Sequence, residues 1–247
     1  MNSPKIVLSF NEVMFYFSRA AVGAGLPYGL AEDFGNTSIW IASLGLDPAE
    51  IVCNALQSLD NNESSISAIQ NENANETILK SSEDKKLSAL LVGPTVCDWI
   101  LETNNKNNVL NSYTAKNIDS PFLVAAAVGT LNFGSWSISW RDNFGSNYFI
   151  LIDQEKKIIS SVDLLDISIL NISTDVSIKP AGRNFIVERK KTLKNFYDTA
   201  EKNDILEKGV AIYNAWPIIY SLFHRCLVPS NENTRSKGAG AGLIEID

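Results

Sequence analysis

The chain contains a single histidine, His224, and that scarcity removes much familiar chemistry. A histidine-rich metal site cannot be built within one chain, and the HExxH pattern is absent. His224 precedes Arg225 in an apolar stretch without a recognisable serine or cysteine nucleophile motif, so it reads as structural. A carboxylate-only Mg²⁺ or Mn²⁺ site stays open, although no spacing asks for one. Cysteines are few and scattered: Cys53, Cys97 and Cys226 form no CxxC pair. Such an odd, unclustered set reads as reduced thiols. The opening "MNSPKIVLSFNEVMF" lacks the pattern of a secretory leader, so a cytoplasmic protein is expected. Long hydrophobic runs are also missing. The longest, Phe122 to Val128, is far short of the roughly 18 residues of a membrane span. Positive charge is in deficit: 21 Lys and Arg against 28 Asp and Glu leave a net charge of −7. A nucleic acid or an anionic membrane would bind against that field, so neither is an expected partner. The one basic run, Glu188-Arg189-Lys190-Lys191, reads as solvated charge at a strand end.

What remains is an ordinary globular composition, 45% hydrophobic and 20% charged over 247 residues. One α+β domain over 1–247 is expected, with N-terminal helices, a central antiparallel β-meander, C-terminal helices and a glycine-rich tail. Ser9-Phe10-Asn11-Glu12 is a capping box, and apolar residues follow at helical spacing to a stop at Gly23. A second helix is expected from about Pro27 to Leu44, with Gly45 beyond it, and Asp47-Pro48 opens a third to about Leu59. Residues 60–86, rich in Asn, Ser, Glu and Lys, read as a mobile surface insertion. "LSALLVGPTVCDWILE" then suggests an apolar segment, a Gly-Pro turn and a short helix before an Asn-rich loop at 104–108.

From Ser135 the period changes to two. "SWSISWRD" sets Trp136, Ile138 and Trp140 on one face and Ser135, Ser137 and Ser139 on the other. The tryptophan face reads as core beneath a helix rather than as a base-stacking surface. "NYFILID", "KKIISSVD", "DISILNIS", "DVSIKP" and "NFIVERK" follow as further strands, and "TLKNFYDTAEK" and "WPIIYSLFHRCL" as closing helices.

Two glycine-rich segments stand out. "RAAVGAGLPYGLAEDFG" at 19–35 contains GxGxxxG, one residue too long for a dinucleotide fingerprint and placed behind a helix rather than a strand. There is no Walker A sequence, and no cofactor is expected. "VPSNENTRSKGAGAGLIEID" closes the chain. Together these segments resemble the uncharacterised bacterial family DUF3726, whose members share an "RGAG-(Pro)-aromatic-GLAE" segment and a "VPxSExSRxxGAGAGLxD" segment. The match covers about 19–35 and 227–247. Ala20-Ala21-Val22 intervene after Arg19, and Asn233-Thr234 replaces the usual pair before Arg235. The resemblance implies a family but no activity and no catalytic residues.

Read from its residues, the pair of segments can build a site. Gly25 and Gly240 would admit a ligand close to bare amides. Glu32 and Asp33 are the catalytic candidates, Glu32 first for proton transfer, in early helix turns where the dipole favours their ionised forms. Arg19 and Arg235 could fork onto a carboxylate or phosphate, with Tyr28 and Glu232 alongside. The expectation is a metabolic enzyme or binder of a small anionic metabolite, with a site formed by 19–35 and 229–242. The alternatives are a bare helix–helix joint, or a non-catalytic accessory subunit. A homo-oligomer or a partner protein stays open.

Overall fold

Strand β1 (Ile6–Leu8) leads directly into α1 (Phe10–Gly23), which starts where its capping box places it. The Ser9 hydroxyl accepts from the Glu12 amide at 3.3 Å, and the Glu12 carboxylate accepts from the Ser9 amide at 2.8 Å. Helices α2 (Tyr28–Ala42) and α3 (Pro48–Asp60) follow. Gly45 supplies φ +76 between them, and Asp47 caps α3 by accepting from the Ala49 amide at 2.8 Å. The other Asp47 oxygen accepts from the Tyr213 amide at 2.8 Å, so one cap also anchors the far end of the chain. The computed structural model describes residues 6–73, 76–105, 111–131, 133–153, 158–161, 172–192, 195–197 and 202–227.

Residues 60–86, whose composition suggests a mobile insertion, instead form β2 (Ser64–Ser65), β3 (Ala68–Asn73), β4 (Glu76–Ser81) and β5 (Lys86–Leu87). Average polarity conceals a few inward positions: Thr77, Leu79 and Leu87 are buried, and β4 and β5 hydrogen-bond in parallel to β6 (Ser112–Ile118). Backbone pairing and those side chains offset the ordering entropy. The crossover from β5 to β6 is α4 (Ala89–Asn105), one continuous helix through Gly93-Pro94 where a turn is expected from sequence. Gly93 serves packing rather than a bend. A Cβ there would lie 2.7 Å from Ala127 Cβ on α5 (Pro121–Thr130). Helix α5 is apolar all round, and all of it but Thr130 is buried between α2, α4 and the sheet.

Strands β7 (Trp136–Arg141), β8 (Asn147–Ile152) and β9 (Ile158–Ser160) form the expected antiparallel meander. The meander then departs from expectation. Strand β10 (Thr174–Pro180) returns across it to pair with β7 on one side and β6 on the other. Among the described residues the result is a ten-stranded mixed sheet with the path β11 (Asn195–Tyr197)-β9-β8-β7-β10-β6-β4-β3, and with β5 off that path pairing with β2 and β6. "NFIVERK" lies in helix α6 (Arg183–Thr192) rather than a strand: Phe185 and Val187 alternate, but the Arg, Glu and Lys around them are good helix formers. Conversely, "TLKNFYDTAEK", read as helical, contributes β11 (Asn195–Tyr197) beside β9. Helix α7 (Lys202–Lys208), strand β12 (Val210–Ile212) and α8 (Trp216–His224) complete the described chain, and β12 pairs with β1. The fold is α+β. "DISILNIS" apart from Ile172 and Ser173, most of the 104–108 loop, and the glycine-rich tail lie outside the described residues.

Candidate functional site

The central strands divide their side chains sharply between two faces. Trp136, Ile138, Trp140, Ile150, Val176 and Ile178 are buried on one face, as expected for the tryptophan side, and α5 packs over β7 and β10 there. On the other face, register aligns Thr114 with Ser177, Ser177 with Ser139, and Ser139 with Phe149 across four strands. Lys179 stands opposite Ser137, and Arg141 opposite Asn147. Helix α6 borders this face through Phe185 and Arg189, one turn apart, which enclose a cavity of about 580 Å³.

The cavity is cationic. Among the described residues Lys116, Arg141, Lys179 and Arg189 line it with one carboxylate, that of Asp175, in a chain whose net charge is negative. Asp175 is already engaged: it accepts from Lys116 Nζ at 2.8 Å and from the Asn117 amide at 2.9 Å. Arg141 Nε donates to the Gly145 carbonyl at 3.0 Å, which holds the guanidinium plane against that turn. Arg189 lies 4.9 Å from the Phe149 ring and 5.2 Å from the Phe185 ring, held by cation–π contact above the hydroxyl row. The basic run at 188–191 therefore belongs to a helix over a sheet, not to a strand end. Two guanidinium forks and two ammonium groups above serine hydroxyls can hold a carboxylate and orient the polar groups beside it.

The residues singled out at 19–35 lie elsewhere, around the joint between α1 and α2. Arg19 is half-buried, its guanidinium 4.0 Å from the Phe15 ring centre. Gly25 adopts φ +98 with open space where a Cβ would stand, and Tyr28 is 65% exposed. Gly23 has a different purpose: a Cβ there would fall 2.0 Å from the Leu222 carbonyl oxygen, so it admits α8 against α1. Glu32 and Asp33 lie beyond the first turn of α2. Partial burial, reinforced by the charges of Asp98 and Glu32, holds the Asp33 carboxyl above its ordinary value, the reverse of the expected dipole effect. The end of α8 is fastened here. Arg225 pairs with Asp60 through both nitrogens and donates to the Gly23 carbonyl at 3.3 Å, and Cys226 Sγ donates to the Arg19 carbonyl at 3.1 Å. Glu232, Arg235 and Gly240 lie outside the described residues. Among the described residues no group of three or more His, Cys, Asp or Glu side chains is placed to hold a metal. No described helix is long and apolar enough to cross a membrane.

The family model described as a protein of unknown function (DUF3726) matches residues 8–82, a span that includes the first glycine-rich segment. The chain resembles DUF3726. No curated protein matches it. Among solved structures, a proposed malate/lactate dehydrogenase from E. coli superposes with a TM-score of 0.60 at 8% identity, over 93% of this chain and 97% of that one. A dehydrogenase from Sinorhizobium meliloti gives 0.57 at 12% identity, over 88% and 99%. The malate dehydrogenase from Pyrococcus horikoshii OT3 gives 0.47 at 11% identity, over 65% of this chain, and the chain spans only 51% of that protein. The DUF3726-like chain thus shares its fold with the first two.

Sequence reasoning passed over the cationic face. Its signal was visible in "SWSISWRD", where the serines alternate with the tryptophans. Lys116, Lys179 and Arg189 come from three separate segments, and only β10 returning between β6 and β7 brings them together.

Proposed function

We propose that this protein is a metabolic enzyme or binder acting on a small carboxylate, which it holds on the cationic face of its sheet. The observation that carries this reading is the convergence of Lys116, Arg141, Lys179 and Arg189 above the Ser139–Ser177 row. Shared fold with a proposed malate/lactate dehydrogenase supports it, since malate and lactate are small carboxylates bearing a hydroxyl beside the acid. Titration calorimetry with malate and with lactate tests it. Lys179→Ala and Arg189→Ala should each weaken binding by about ten-fold or more, the loss of one charge-assisted hydrogen bond. Binding that is undetectable, or indifferent to both changes, would overturn the assignment.

A second reading keeps the anion at 19–35 and 229–242. It is favoured by the fastening of Arg225 and Cys226 beside Gly23 and Arg19, which delivers residue 227 to that turn. The raised Asp33 carboxyl also suits a proton-transfer group, with Glu32 beside it. Here Arg19→Ala and Arg235→Ala, and not Lys179→Ala, would abolish malate binding.

A further inference from the structure

At the end of β6 the chain buries a carboxyl group that its neighbours only half satisfy. Asp119 is 5% exposed. Its Oδ1 accepts from the Ala89 amide at 2.8 Å and so caps α4, whereas Oδ2 has no hydrogen-bond partner among the described residues. The buried hydroxyl of Ser58 lacks a partner as well, while that of Ser64 lies against the Asp119 carboxyl. Folded proteins satisfy nearly all such atoms, so two of them unanswered in one region ask for a ligand or for solvent. Asp119 and Ser58 line a polar cavity of about 300 Å³ formed with α3 and the start of β5. That lies at the small end of the range for ligand sites, about 300–1,000 Å³. Asn54, Gln57, Glu63 and Lys86 also line it. Burial pushes the Asp119 pKa up to about 6, against the opposing pull of the Ala89 amide, the Ser64 hydroxyl and the Lys86 charge.

The charge layout discriminates among occupants. A simple carboxylate would meet Asp119 and Glu63, a simple ammonium ion would meet Lys86, and a neutral polyol would answer neither charge. A molecule with both charges answers each. We propose that this cavity binds a small zwitterion of amino-acid size, its ammonium group facing Asp119 and Glu63 and its carboxylate facing Lys86. The carboxamides of Asn54 and Gln57 can donate or accept at either end. This site shares no residue with the cationic face, and the two assignments stand or fall separately.

Titration calorimetry and thermal melts on the full chain test it, with glycine and β-alanine as probes and methylammonium and glycerol as controls. At least one zwitterion should bind saturably and raise the Tm, and both controls should bind at least about ten-fold more weakly. Lys86→Gln, a half-buried position, should fold and weaken the zwitterion by about ten-fold or more. Asp119→Asn should weaken the zwitterion likewise, and if that variant fails to fold, Lys86→Gln decides alone. Failure of both zwitterions to bind would overturn the proposal. So would glycerol or methylammonium binding equally well, or affinity indifferent to Lys86→Gln.

Discussion

The two faces of strands β7 and β10 are built from alternate residues of the same short segments, yet they do opposite work. One carries Trp136, Ile138, Trp140, Val176 and Ile178 into the core against α5. The other carries Ser137, Ser139, Ser177, Lys179 and Arg141 to an open cavity. A strand has a side-chain period of two, so neither face can be changed in register without exchanging them. Stability should therefore reside on one face and ligand binding on the other.

Trp136→Ala should give the largest stability loss, about 3–5 kcal/mol, because it removes a fully buried ring whose Nε1 donates to the Phe133 carbonyl at 3.0 Å. Denaturant unfolding measures it, and a loss below about 1 kcal/mol would dissolve the contrast. Asp119 tests whether a buried position at the end of β6 tolerates charge. Its carboxyl, raised from 3.8 to about 6, binds its proton more tightly in the folded state than in the unfolded one. The associated stability is full below about pH 4 and is lost as pH rises through 6, a change of about 3 kcal/mol. Asp119→Asn cannot titrate, so its stability relative to the parent should improve by up to that amount between pH 4 and pH 7. Unfolding curves at several pH values would show a flat difference if the carboxyl were not buried.

Gly129→Ala probes the helix above the core face. A Cβ there would lie 2.1 Å from Trp40 Cζ2, and the overpacking should cost about 1–3 kcal/mol in a thermal or denaturant melt. The smallest effect belongs to the other face. Ser139→Ala should change stability by no more than about 0.5 kcal/mol. If Ser139 floors the carboxylate site, the same variant should still weaken malate in titration calorimetry. A stability loss comparable to that of Trp136→Ala would show that the hydroxyl face is packed, not open.

Legibility in the sequence followed the range of the interactions. The starts of α1 and α3 were readable because Ser9, Glu12, Asp47 and Pro48 act within one turn of chain. The burial of Trp136, Ile138 and Trp140 was readable because alternation is local. Strands β3 and β4 were not, because β4 is held by parallel pairing with β6 rather than by its own polar composition. Nor was the helical state of Gly93-Pro94, where the close approach of Ala127 decides. The cationic face failed for the same reason: no property of residues 114–116 announces that Lys179 and Arg189 will stand beside them. Among the 19–35 candidates, sequence found charged residues near one joint but had the sign of the Asp33 perturbation reversed, since its partial burial, and after that Asp98 on α4, were out of view.

The pairing of β1 with β12, Ile6 opposite Ile212, also sets a timetable for the newborn chain. About two hundred residues separate the two strands, and a ribosome adding about 5–20 residues each second needs about 10–40 s to supply the second. Until then α1 can dock on α2 but not on α8. Phe15 and Tyr16, which end up against Phe223, with Tyr16 also meeting Trp216, wait in water throughout that interval. The last described helix is thus the latch of the first, and a truncated or stalled product would display an unlatched aromatic surface of the kind that chaperones and proteases recognise.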